Sequence, residues 1–192
     1  MDLLTVLMVS MRSVALMRLM EDGSFLYVTS GAEVKLRIRS VATGDDVVKA
    51  KASGASALAA NVFLPEAVEV AKREGIELVS IEDVADPLIG VIGALLKERR
   101  PDLLVRIFQE LLPSDVARSY SYYELVNFMG RGISSVSFRV KVEFRRSDFF
   151  EDILELLSAL AAKASSSGLS THLNSAVDPK RGERTIELEI SL

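Results

Sequence analysis

The chain contains no cysteine, no tryptophan and only one histidine, His172. Without cysteine there is no disulfide, no thiolate nucleophile and no cysteine-ligated metal. One imidazole leaves too few nitrogen ligands for an ordinary zinc site, so carboxylates holding a hard cation are the metal chemistry left open. Glutamine occurs once (Gln109) and asparagine three times (Asn61, Asn127, Asn174). Few thermolabile amides beside many Glu, Lys and Arg fit a thermophilic source. Also missing are a phosphate-binding loop, a dinucleotide fingerprint, metal-ligand spacing and a nucleophile–histidine–acid set. No cofactor, catalytic residue or metal ligand is therefore assigned.

Long apolar runs are missing too. The first twenty residues are strongly apolar and hold five of the six methionines, but Arg12 and Arg18 interrupt them. A membrane span needs about 18 uninterrupted apolar residues. Asp2 stands where a signal peptide carries positive charge. The expectation is a cytoplasmic protein with no membrane partner, whose N-terminal segment packs in a core or joins copies into a homo-oligomer. Two local structures compete there: a strand over Leu3–Val9 with a helix over Ser13–Met20, stopped at Gly23, or one continuous helix.

What is present is a globular composition: 192 residues, 49% hydrophobic and 26% charged, with net charge −4. An acidic chain binds a polyanion only through a local basic patch. The patterning predicts a mixed α+β (or α/β) fold: two small α/β units joined by a helical segment. The boundaries fall at 1–85 for an N-terminal α/β unit, 86–132 for a helical connector and 133–192 for a C-terminal β-α-β-β unit with an antiparallel hairpin.

In the first unit, SFLYVTS reads as a strand. Val34, Leu36 and Ile38 then alternate with Lys35, Arg37 and Arg39, the period of a half-buried strand. Gly44-Asp45-Asp46 marks a turn, and DVVKAKAS reads as a third strand ending at Gly54. Ser56–Leu64 suits a buried strand or the start of a broken helix. Pro65 opens a helix that Gly75 stops with a left-handed cap, and Ile76, Leu78 and Ser80 follow on one face of a strand.

Lys35, Arg37, Arg39, Lys49 and Lys51 put five cations within seventeen residues. They are the candidate nucleic-acid-binding residues; the competing structural reading is the solvated face of an antiparallel sheet. The pattern G-A-E-V-K (31–35), V-V-K-A-K (47–51) and the α–β unit at 65–82 resembles a degenerate PD-(D/E)XK nuclease core. In that family an aspartate on one strand and an acid-x-lysine on the next hold a divalent ion. Carried over by position, the acids fall on Lys35 and Lys49, and only Lys51 keeps its type, with Glu33 able to stand in for the first acid. Lysines there would repel Mg²⁺. The family's linking helix after the lysine strand has no counterpart in this reading. V-K-A-K-A-S-G-A-S-A (48–57) also resembles the strand-to-helix junction of Alba-type archaeal chromatin proteins. Both resemblances imply nucleic acid as a partner, and the second an archaeal setting.

From Asp86 the pattern turns helical: PLIGVIGALLKERR, then PDLLVRIFQELL opening at Pro101, then a third helix over SDVARSYSYYELVNFMGRG with Ser121 and Glu124 spaced as a capping box. The last unit is clearer. Val136, Phe138, Val140, Val142 and Phe144 alternate with polar residues. Ser147-Asp148 caps a helix that ends at SSSG, and two strands close the chain around the turn DPKRG. Arg139, Lys141 and Arg145 on the first of these strands face Glu187 and Glu189 on the last if the two are neighbours. His172 falls on the polar phase of its strand.

The functional expectation is a non-catalytic nucleic-acid-associated accessory protein. A structural or oligomerisation module and a divalent-metal-dependent nuclease stand as alternatives. For the nuclease, Glu33 with Asp45 or Asp46 is the carboxylate pairing to inspect.

Overall fold

The computed structural model describes residues 3–10, 14–29, 32–112, 117–129, 132–144, 149–180 and 182–192. Helix α1 (Leu3–Ser10) precedes a β1–β2 hairpin (Ala15–Leu19, Phe25–Thr29) and β3 (Glu33–Ala42). Next come α2 (Gly44–Ala52), β4 (Ala57–Phe63), α3 (Pro65–Glu74) and β5 (Glu77–Ser80). Helices α4 (Ile81–Lys97) and α5 (Pro101–Leu111) lead to β6 (Ala117–Met129), β7 (Gly132–Phe144), α6 (Phe150–Ser166), β8 (Ser170–Asp178) and β9 (Glu183–Ser191). The fold is mixed α+β with two sheets. The first, ordered β1-β2-β3-β4-β5, is antiparallel up to β3 and parallel beyond it. The second, ordered β6-β7-β9-β8, is antiparallel throughout.

The N-terminal order is the reverse of the strand-then-helix expectation, and one continuous helix does not form either. Asp22-Gly23 lies between two apolar runs, a spacing that favours a hairpin over a helix stop. Gly23 takes φ +77°, and its amide donates to the Met20 carbonyl at 3.0 Å. Leu3, Leu7 and the apolar residues of β1 are buried in this chain's own core, while Leu4 and Val6 are half-buried.

The third strand expected over DVVKAKAS is helix α2. Thr43 and Asp46 form a capping box: Thr43 Oγ1 accepts from the Asp46 amide (3.3 Å), and Asp46 Oδ2 accepts from the Thr43 amide (3.0 Å). Val47 and Ala50, three apart, are the residues that α2 buries, which a period of two would not give. Ala57–Ala60 of β4 are buried without alternation, as in a parallel strand covered on both faces. Helix α3 runs as expected from Pro65 to Gly75, which takes φ +69°.

Helix α4 starts at Ile81, not at Pro87, because Ser80 caps it by accepting from the Glu82 amide. Pro87 therefore lies inside the helix. The stretch expected as a third helix is β6, where the aromatic run YSYY outweighs the capping signature. Ser121 and Glu124 are paired in register with Lys141 and Phe138 of β7. The expected cap at Ser147-Asp148 and the charge of Arg145 lie outside the described residues.

Two apolar clusters hold these layers together. The smaller, around Val47, Leu58, Ala67, Ala71 and Ile76, sits between the first sheet and helices α2 and α3. The larger runs from α1 and β1–β3 through α4 and α5 to α6, β7 and β9, so both sheets share it. Phe108 of α5 stacks on Phe138 of β7 at 5.5 Å between ring centroids.

Candidate nucleic-acid interface

The five cations separate into two groups. Lys35, Arg37 and Arg39 are half-buried on β3, whereas Lys49 and Lys51 are exposed on α2. Each β3 cation is already engaged. Lys35 Nζ donates to Asp22 Oδ2 (2.7 Å) and to the Ser53 carbonyl (2.6 Å). Arg37 Nη2 donates to the Asp22 carbonyl (2.5 Å), and its Nε is buried with no hydrogen-bond partner among the described residues. Arg39 donates to Asp46 Oδ1 (3.2 Å), to the Ile38 carbonyl (2.8 Å) and to Asp152 of α6.

These contacts set the ionisation of the acids. Burial works against the Asp22 carboxylate, but hydrogen bonds from Lys35 and Ser24 outweigh it and hold its pKa at about 2. Burial also opposes ionisation of Asp46, and the Thr43 and Arg39 hydrogen bonds still leave its pKa below the ordinary value. At Asp152 burial prevails over the same arginine, and the pKa is raised. Arg39 loses some affinity for its proton through burial and regains more from the two aspartates, so it stays charged.

The side chains of Lys49 and Lys51 make no hydrogen bond or ion pair with the described residues. They occupy the last turn of α2, where the carbonyl end of the helix favours cations. Of the candidate binding residues, these two are the ones free to meet a phosphate.

The carboxylate pairing does not assemble. Glu33 begins β3, while Asp45 and Asp46 follow its end, so ten residues of extended chain separate them, about 30 Å. Asp46 is also occupied by its cap. Among the described residues no group of three or more histidines or carboxylates could hold a metal ion. Glu33 instead lines a cavity of about 350 Å³ under α1, floored by Leu16, Leu26 and Val28. The Arg18–Glu110 ion pair borders it. Asp45 lines a second cleft of about 510 Å³ between α2 and α3, opposite Arg73. His172 is exposed on β8, level with Glu189 of β9.

On the second sheet the expected cross-strand pairing forms. Arg139 lies opposite Glu189 and donates to it at 2.9 Å, with Glu187 at 3.4 Å, and Lys141 lies opposite Glu187. No local pattern marks Asp22 or Asp152 as partners of the β3 cations, and Asp152 is 113 residues from Arg39. Thr43-x-x-Asp46 was a visible signal for a helix start.

No known protein family, curated protein or solved structure matches this chain. Among the described residues no helix is long and apolar enough to cross a membrane.

Proposed function

We propose that the protein is a non-catalytic, nucleic-acid-associated accessory protein, acting in the cytoplasm of a thermophilic archaeon. The observation that carries this reading is the placement of Lys49 and Lys51: exposed, without acidic partners, on a helix that directly follows β3. That helix takes up residues 47–51, which the nuclease-like resemblance reads as its lysine strand, so Lys51 does not stand on a strand beside Glu33. With α2 helical, the alternating positions of β3 carry Lys35, Arg37 and Arg39, which are bound to this chain's own oxygens.

The test is a salt titration of binding to single- and double-stranded DNA and RNA. Binding that weakens with salt is expected, and Lys49→Glu with Lys51→Glu should lower the slope of log K against log salt by about 2. Arg37→Gln should change it little. Absence of binding to all four at low salt sinks the reading.

The nuclease alternative has one feature in its favour. Glu33-x-Lys35 is an acid-x-lysine on β3, and Asp22, just before β2, bonds to that lysine. Val28, not a carboxylate, lies across from Glu33 on β2. Mg²⁺-dependent cleavage that disappears in both Glu33→Gln and Lys35→Ala would establish this alternative in place of the accessory role.

A further inference from the structure

Strand β8 is one free edge of the second sheet. Exposed edges in soluble proteins are normally short, bulged, or guarded by lysine or proline, because their unpaired amides and carbonyls template another strand. Strand β8 carries none of these guards. It runs nine residues, pairs with β9 without a register shift, and contains neither lysine nor proline. Residues Asn174 to Asp178 are exposed, including Val177 at 56%.

We propose that β8 pairs antiparallel with β8 of a second copy about a two-fold axis at Ser175, joining the two four-stranded sheets into one. A two-fold pairing must bring the outward-facing amides of both strands together, so the numbers of opposed residues sum to an even value. Centring on Ser175 sets His172 opposite Asp178 of the second copy, Leu173 opposite Val177, and Asn174 opposite Ala176. His172 and Asp178 are the ionisable residues of the strand, and this register opposes them twice, once on each side of the axis. Both lie on the charged face, where Glu189 flanks His172. Leu173 and Val177 lie on the other face, that of Thr171, whose hydroxyl donates to the Ala161 carbonyl of α6. The exposed valine thus meets the half-buried leucine. Centring on Asn174 instead would oppose His172 to Ala176 and Val177 to Thr171, matching neither charge nor apolar surface. The occupant is a second copy because the strand complements itself.

This pairing is independent of nucleic-acid binding, and its test reads mass, not affinity for DNA or RNA. Sedimentation of the full chain should show a dimer at micromolar concentration. Val177→Lys, which adds the missing guard at an exposed position, should give a monomer, while Val62→Lys, at another exposed valine, should leave the dimer intact. The chain has no cysteine of its own, so Ser175→Cys should link to itself under mild oxidation. Ser170→Cys, five residues from the axis in each copy, should not link. A monomeric wild type, a dimer unaffected by Val177→Lys, or cross-linking at 170 in place of 175 would each overturn the proposal.

Discussion

Asp46 and Asp152 share one arginine and answer to pH in opposite senses. The folded pKa of Asp46 lies below its unfolded value of 3.8. Its contribution to stability is therefore present above that value and lost as the pH falls through the folded pKa. Asp22 behaves alike, its share disappearing as the pH falls from 3.8 towards about 2. The folded pKa of Asp152 is raised. Its favourable contribution is complete below the unfolded value and is lost as the pH rises through the folded one. Urea denaturation of Asp152→Asn should accordingly show little loss, or a gain, near neutral pH. Asp46→Ala, which also breaks the capping box, should lose about 1–2 kcal/mol. Arg39→Met should be the costly change, about 2–3 kcal/mol, because half-buried Asp152 is left without its partner. Adding Asp152→Leu should recover most of that loss. An Arg39→Met cost below 1 kcal/mol would mean that the pair does not hold the layers.

The elements legible in the sequence were those whose local signals agree. Pro65 and Gly75 bracket α3, strict alternation marks β3, β7 and β9, and the C-terminal hairpin closes on its turn. Misreadings arose where two signals competed. Thr43-Gly44-Asp45-Asp46 supports either a turn or a helix cap, and the burial of Val47 with Ala50 decided for the helix. Asp22-Gly23 could stop a helix or fold a hairpin, and pairing of β1 with β2 decided for the hairpin. In YSYYELV a four-residue capping pattern lost to a thirteen-residue strand with a partner. Gly23 and Gly75 separate backbone from packing. A Cβ at Gly75 meets nothing within 4 Å, so Gly75→Ala should cost about 1 kcal/mol from the positive φ alone. A Cβ at Gly23 would sit 2.6 Å from the Phe149 ring. Gly23→Ala should therefore lose about 3 kcal/mol, and thermal melts of the two variants give the difference directly.

At the scale of the molecule, the two sheets share the larger apolar cluster, with Phe108 of α5 stacked against Phe138 of β7. Hydrogen exchange in rising denaturant should then release the amides of β3 and β9 at one midpoint. Phe108→Ala should move both together, at a cost of about 3–5 kcal/mol. Two separate midpoints would mean two independently folding units. Sequence patterning does not show this merger, because no local period encodes which faces of α4, α5 and α6 meet. The candidate site was legible only in part for the same reason. The cations were visible in the sequence, but the carboxylates that pair with two of them, Lys35 and Arg39, were not.

The Arg39–Asp152 contact also has a temporal side. A ribosome releases Arg39 more than a hundred residues before Asp152, and the first sheet reaches full length while one of its apolar faces still lacks α6. During that interval the nascent chain presents Ile38 and Ala59 to water beside an arginine holding only one of its two acids. Until the last third of the chain arrives, the first sheet therefore lacks the helix that brings Arg39 its second acid.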